Sequence, residues 1–347
     1  MTECRINQNT GAHAALTSEV KPVAHFAWLI VAYNIAVILW GAYVRASGSG
    51  AGCGSRWPLC NGEILPSIAQ SQTLIEFIHR ATSAVSLMLV SLLVVCCWRR
   101  TSKGDWPRYS SLFALFLLFN EALLGALLVS SEHVGLDRSA ARALFLCVHF
   151  GNTLLLLGAL ALTARWLSNR KRRLVVLAEP YERIAIGLGL VSVMATGITG
   201  SLASLGDTIF PVASLRLALM QDVSSSSHTL LRLRLLHPVV ALMGTAYGLW
   251  VFSSFWGKQD RFPWRLVLAV TLAAQIALGA MNVILLAPIW LQLTHLLVAD
   301  LFWILLVLAS ADLLFGKQHF SVLYRRQLAS CSSDPEQEVT WRSLASR

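Results

Sequence analysis

Apolar residues fall along this chain in blocks of about 20, the length a helix needs to cross roughly 30 Å of hydrocarbon, and short polar connections separate them. The blocks predict eight spans, at residues 25–45, 74–98, 110–131, 142–165, 183–203, 230–255, 265–286 and 290–315. They lack the period-two alternation of a barrel strand, so helices, which satisfy their own backbone groups in lipid, are the remaining solution. The last two spans are joined almost directly, at Ala287-Pro288-Ile289. The expected fold class is all-α, a polytopic membrane protein in the lipid bilayer.

The pattern repeats within the chain. Leu124-Gly125-Ala126 answers Leu278-Gly279-Ala280, with Glu121 and Gln275 at the same offset before the glycine, and His79 and His149 answer His237 and His295. A weaker echo links Gly41-Ala42-Tyr43-Val44-Arg45 to Gly197-Ile198-Thr199-Gly200-Ser201. These echoes predict two four-helix bundles, 25–169 and 183–315, joined by a basic linker at 170–182. A segment at 1–24 precedes them and a polar tail at 316–347 follows. Each half starts on the same side of the membrane, so the repeats are parallel rather than inverted.

Composition agrees: of 347 residues, 56% are hydrophobic and 13% charged, and the mean hydropathy is +0.61, which excludes an ordinary soluble domain. The net charge of +10 would fit a nucleic-acid partner only if it formed a patch. Instead it lies in connections beside membrane segments: Arg99, Arg100, Lys103 and Arg108; Arg165, Arg170, Lys171, Arg172 and Arg173; Lys258, Arg261 and Arg265. By the positive-inside rule these connections and both termini face the cytoplasm. The opposite connections, chiefly 46–73 and 204–229, face outward although they and the shorter one between them hold Arg56, Arg138, Arg142 and Arg216. Residues 1–24 show neither a cleavable signal nor an Arg-rich transit segment, which favours a bacterial plasma membrane over the mitochondrial inner membrane.

Four histidines stand about five to eight residues into the inward-running spans, roughly 8–12 Å below the outer boundary at 1.5 Å per residue. A lone histidine there can simply pack against a neighbouring hydroxyl or carbonyl. Four at one depth point to cofactor ligation, and two imidazoles on facing helices can clamp an iron porphyrin from both sides. The expected pairs are His79 with His149 and His237 with His295. His13, His25, His133, His228 and His319 lie where water can reach them. In the first half Glu76 precedes His79 by three residues, on one helix face. It is either a proton acceptor beside the haem edge or the partner of Arg80 at the headgroup level. Arg45 and Arg80 suit haem propionates or ordinary interfacial snorkelling. Cys53 and Cys60 lie seven residues apart in an outward loop and form either a disulfide or two free thiols, while Cys96, Cys97 and Cys147 read as packing residues.

The stretch from Gly41 to Gly62, followed by Glu76-x-x-His79-Arg80 and three further span histidines, resembles the haem A synthases over about residues 25 to 315. The resemblance implies oxidation of a methyl group of haem O to a formyl group, giving haem A for haem-copper terminal oxidases. It implies His79 and His149 at the substrate haem O, His237 and His295 on a resident haem B, Glu76 as the essential acid, and Cys53 and Cys60 as the outer-loop pair. Haem O synthase and oxidase assembly factors are the implied partners, and a homo-oligomer is compatible with it. The sequence departs from the family pattern in lacking cysteine at 204–229, in reading Cys53-Gly54-Ser55-Arg56-Trp57-Pro58, and in carrying Glu121 where glutamine is usual. A quinone-linked dihaem electron carrier and a haem transporter or chaperone are the rival readings; bis-histidine pairs alone fit the carrier equally well.

Overall fold

The computed structural model describes residues 10–67, 70–168, 175–176, 178–256 and 262–316. The basic run Arg170–Arg173, Lys258 and Arg261, Cys4, Cys331 and His319 therefore lie outside the described residues, as does nearly all of the expected tail. The chain is helical: α1 Thr10–Ala46, α2 Ser71–Arg100, α3 Trp106–Ser130, α4 Ala140–Ser168 and α5 Pro180–Ile209 lead into two short helices, α6 Leu215–Val223 and α7 Thr229–Arg232. A 3-10 turn, Leu233–Leu235, opens α8 Leu236–Trp256, and α9 Phe262–Ile284 and α10 Ile289–Leu314 complete the series. Two-residue strands, β1 Val175–Val176 and β2 Phe315–Gly316, pair antiparallel beside the end of α10.

Among the described residues seven helices are long and apolar enough to cross a membrane: α1 from Lys21, α2 to α5, α9 from Leu266, and α10. This is a multi-pass membrane protein. The sixth expected span, 230–255, is occupied by α8, which starts six residues late. Pro238 lacks an N–H for the carbonyl four residues back, so the segment before it turns as α7 and the 3-10 piece instead of extending α8. Helix starts follow local chemistry elsewhere too: α5 opens on Pro180 inside a capping box in which Glu182 accepts from the Glu179 backbone N–H at 3.0 Å.

The buried core is not divided equally between the halves. Ile30, Val90, Leu93, Ala114, Leu157 and Leu160, from α1 to α4, pack into one cluster to which α10 adds Trp303, Ile304, Val307 and Leu308. Trp303 sits over Gly158 and donates to the Leu154 carbonyl at 2.7 Å, and Arg165 pairs with Asp312 at 2.7 Å, so α4 and α10 are tied along their length. Among the described residues α8 buries only Gly244 and α9 only Leu268. Met88, Phe116, Leu123, Leu242, Met243 and Val270, each more than half exposed, form the outward apolar face expected where lipid is the solvent.

Candidate functional site

Alternation of helix direction gathers the 46–73 loop, the 131–139 loop, α6 and the 285–288 turn at one end of the bundle. The disulfide loop is the most constrained of them. Cys53 and Cys60 are bonded, with Cα atoms 4.3 Å apart, and both are fully buried. Gly52 must be glycine, because a Cβ there would lie 2.4 Å from the Gln72 carbonyl oxygen. Its own carbonyl accepts from the Thr73 hydroxyl at 2.8 Å, and the Cys53 N–H donates to Glu76 Oε2 at 2.8 Å.

Glu76, 3% exposed, gives its other oxygen to Arg80, at 2.5 Å from Nη2 and 3.1 Å from Nε. Arg80 also donates to the Leu59 and Gly54 carbonyls, at 2.5 and 3.2 Å. Of the partners expected for Arg80, the structure shows Glu76, together with two loop carbonyls. Arg45 differs: its Nη1 is buried without a hydrogen-bond partner, and its charged neighbours are Arg142 and Asp207. Arg142 is held by the Gly135 and Asp137 carbonyls, at 2.7 and 2.8 Å.

His79, His149, His237 and His295 all line one cavity of about 1760 Å³, together with Glu76 and Arg45. A single small-molecule site usually takes about 300–1,000 Å³, so this space is large enough for more than one such ligand. His79 and His149 are within electrostatic reach of each other, as are His295 and His237. The histidines stand eight residues beyond the start of α2, nine beyond that of α4, one beyond that of α8 and six beyond that of α10. The depth expected for His237 is therefore supplied by the turns before α8 rather than by α8 itself.

The rings are held in a repeated way. An added Cβ at Gly41 would meet His79 Cε1 at 2.8 Å, at Gly200 it would meet His237 Cε1 at 3.0 Å, and at Gly279 His295 Cε1 at 3.3 Å. The internal echo thus runs from Gly41 to Gly200, three residues on from the Gly197 register expected. Nothing lies within 4 Å of the corresponding point on Gly125, because the His149 ring instead contacts Glu121, Nδ1 to Oε2 at 2.6 Å. His237 Nδ1 faces the Thr196 carbonyl at 3.1 Å. Nδ1 of His79, of His149 and of His295 is buried without an aligned hydrogen bond, the His149 atom meeting Glu121 Oε2 as a close ionic contact at 2.6 Å, while Gln275 Nε2 lies 3.3 Å from His295 Nε2. Two rings per half, unpartnered ring nitrogens, an unpartnered guanidinium and an apolar cavity of this size form a donor set that fits iron porphyrins with propionates.

Residues 24–307 match the COX15-CtaA family, described as cytochrome oxidase assembly protein. The chain belongs to that family. COX15-CtaA relatives include a Thermus thermophilus protein named protoheme IX farnesyltransferase, 40% identical over 84% of this chain and 48% of its own length. Two others are named heme A synthase: one from Shouchella clausii, 31% identical over 46% of this chain and 52% of its own length, and one from Bacillus pumilus, 27% identical over 71% and 80%. The chain spans about half the length of the first two.

Two features of the site escape a reading of the sequence. Arg234, the residue three before His237, is 8% exposed and bonds Asp222 at 2.6 Å and Asp207 at 2.9 Å, an ion cluster gathered from α5, α6 and the 3-10 turn. Only Arg234 had a positional signal, the offset it shares with Glu76. Asp300 in α10 is fully buried and neither carboxylate oxygen has a hydrogen-bond partner. A lone acid within an apolar span was the available signal.

Proposed function

We propose that this chain is a haem A synthase, oxidising a methyl group of haem O to a formyl group. The observation that carries the reading is the convergence of four span histidines, two from each half, on one cavity that also takes in Glu76 beneath the disulfide loop. His79 and His149 hold haem O as substrate, and His237 and His295 hold a resident haem B. Haem B so bound supplies a one-electron redox centre. Glu76 accepts protons at the outer edge of the first-half ring, its position fixed by Arg80 and the Cys53 N–H. Arg45 takes a propionate; Arg80 acts through Glu76 and the loop. The apolar cavity wall receives the long tail of haem O and excludes water.

The same reading places eight spans as two parallel four-helix repeats in a bacterial plasma membrane, with both termini in the cytoplasm. A haem O-forming prenyl transferase supplies the substrate and oxidase assembly factors receive the product. The farnesyltransferase name of the Thermus relative is not carried over to this chain. The match takes in only 48% of that protein's length. Expression in a host that makes haem O but no haem A, followed by chromatography of its extracted haems, tests the proposal. Appearance of haem A supports it; haem B alone in the purified protein, with no haem A in the cells, supports a dihaem carrier instead.

A further inference from the structure

The two halves differ most sharply behind the second histidine of each pair. His149 is the one ring of the four that rests on a carboxylate rather than on a glycine or a carbonyl. Glu121 is built in: Oε1 accepts from Asn152 Nδ2 at 2.9 Å and from the Thr153 hydroxyl at 2.8 Å, while Oε2 meets His149 Nδ1 at 2.6 Å. Asn152 and Thr153 follow His149 by three and four residues, so α4 presents all three groups on one face toward α3. In the second half every part of this arrangement is replaced. Gln275 stands for Glu121, and Val298 and Ala299 occupy the places of Asn152 and Thr153. Gln275 Oε1 is buried without a partner and its amide contacts the opposite ring nitrogen, Nε2.

A buried carboxylate is costly unless donors surround it, and here two dedicated side chains, Asn152 and Thr153, supply them, with the imidazole in close ionic contact. An acceptor on Nδ1–H fixes the tautomer, leaves Nε2 for a metal and raises the basicity of the ligand. A neutral amide cannot do this to the same degree. We propose that Glu121 is a positioning residue that orients His149 and, through its charge, favours the ferric state of a haem in the first half relative to one in the second. This rests on the haem-binding reading above and deepens it, assigning the electrochemical difference between the two sites to one residue pair, Glu121 and Gln275.

The test uses the full-length protein in detergent, supplied with iron protoporphyrin IX until both sites are filled, with redox titration and low-temperature electron paramagnetic resonance as readouts. Glu121→Gln keeps the shape and removes the charge. One haem should shift toward the ferrous state by about tenfold or more, equivalent to about 59 mV for a one-electron couple, with altered ferric g values, while the other stays where it was. Glu121→Asp should restore part of the shift. Gln275→Glu should move the other haem in the opposite direction, and this keeps the question open to refutation if Glu121→Gln loses haem. Two bound haems whose potentials and spectra ignore all three substitutions would overturn the role of Glu121 and leave the haem-binding reading intact. Wild-type protein that binds no haem with a bis-histidine spectrum would overturn both.

Discussion

Three residues before the first histidine of each pair stands a buried ionic side chain whose charge is opposite in the two halves: Glu76 in α2, Arg234 ahead of α8. Glu76 is tied to Arg80 on its own helix and to the N–H of a disulfide-bonded loop, so its neighbours are rigid and local in sequence. Arg234 is tied to Asp207 and Asp222 from other elements, so it serves as a clasp joining α5, α6 and the 3-10 turn. Behind the second histidine the contrast continues, with the carboxyl of Glu121 against the amide of Gln275. An acid at the cavity in one half and a paired cation in the other give the two histidine pairs different ionic surroundings.

Glu76 gives the sharpest way to break this contrast. Glu76→Gln should leave both haems bound while haem A formation falls by about a hundredfold or more, the usual worth of a positioned acid or base. Undiminished turnover in the expression assay would end the assignment. Arg234→Ala should act on stability and on the second half alone. It leaves two carboxylates beside each other without their hydrogen-bonded cation, at a cost of about 3 kcal/mol, read as a lower thermal midpoint and loss of the second haem with the first spectrum unchanged.

Next come the glycines that carry the rings. Gly41→Ala and Gly200→Ala should each displace one histidine, costing about 1–3 kcal/mol as overpacking does, and each should weaken one haem. Gly125→Ala, with nothing within 4 Å of the new methyl, should be silent in the same absorbance measurement. Equal effects at all three positions would dissolve the distinction drawn for His149.

The smallest effect is expected in the 131–139 loop. Burial pushes the Asp137 carboxyl up, but bonds from the Ser139 hydroxyl at 2.6 Å, the Ser139 N–H at 2.9 Å and His133 Nδ1 at 2.9 Å together outweigh it, so the carboxyl lies below its ordinary range. A carboxyl lowered by folding stabilises the folded chain above its unfolded value, about 3.9, and that contribution is lost as pH falls through the lowered value. Asp137→Asn should therefore cost well under about 1 kcal/mol near neutral pH and nothing in strong acid, as thermal melts at the two conditions would show.

The helical, multi-pass character, the gathering of the four histidines and Glu76 on one cavity, and the bonded cysteines were legible because each rests on local chemistry: a run of apolar residues, an offset along one helix, two thiols in a short loop. What was not legible depends on distant elements. The Arg80 guanidinium is consumed by carbonyls 21 and 26 residues away, so neither spacing nor composition announces it. The start of α8 was misjudged because Pro238 sits inside a mostly apolar block, where the leucines around Arg232, Arg234 and His237 outweigh a missing backbone donor. The register between Gly41 and Gly200 depends on which glycine meets a ring, and two glycines three apart offer the same pattern to the eye.

The unequal core has a consequence for how the protein is made. Helices α1 to α4 already contain most of the groups that bury one another, so this part can assemble as it emerges from the ribosome. The later helices arrive onto an existing surface, and α10, the last of them, supplies both a wedge into that surface and the final histidine. The second pair of ligands, one on α8 and one on α10, therefore meets only when synthesis of the membrane region is complete, and the first pair is in place well before.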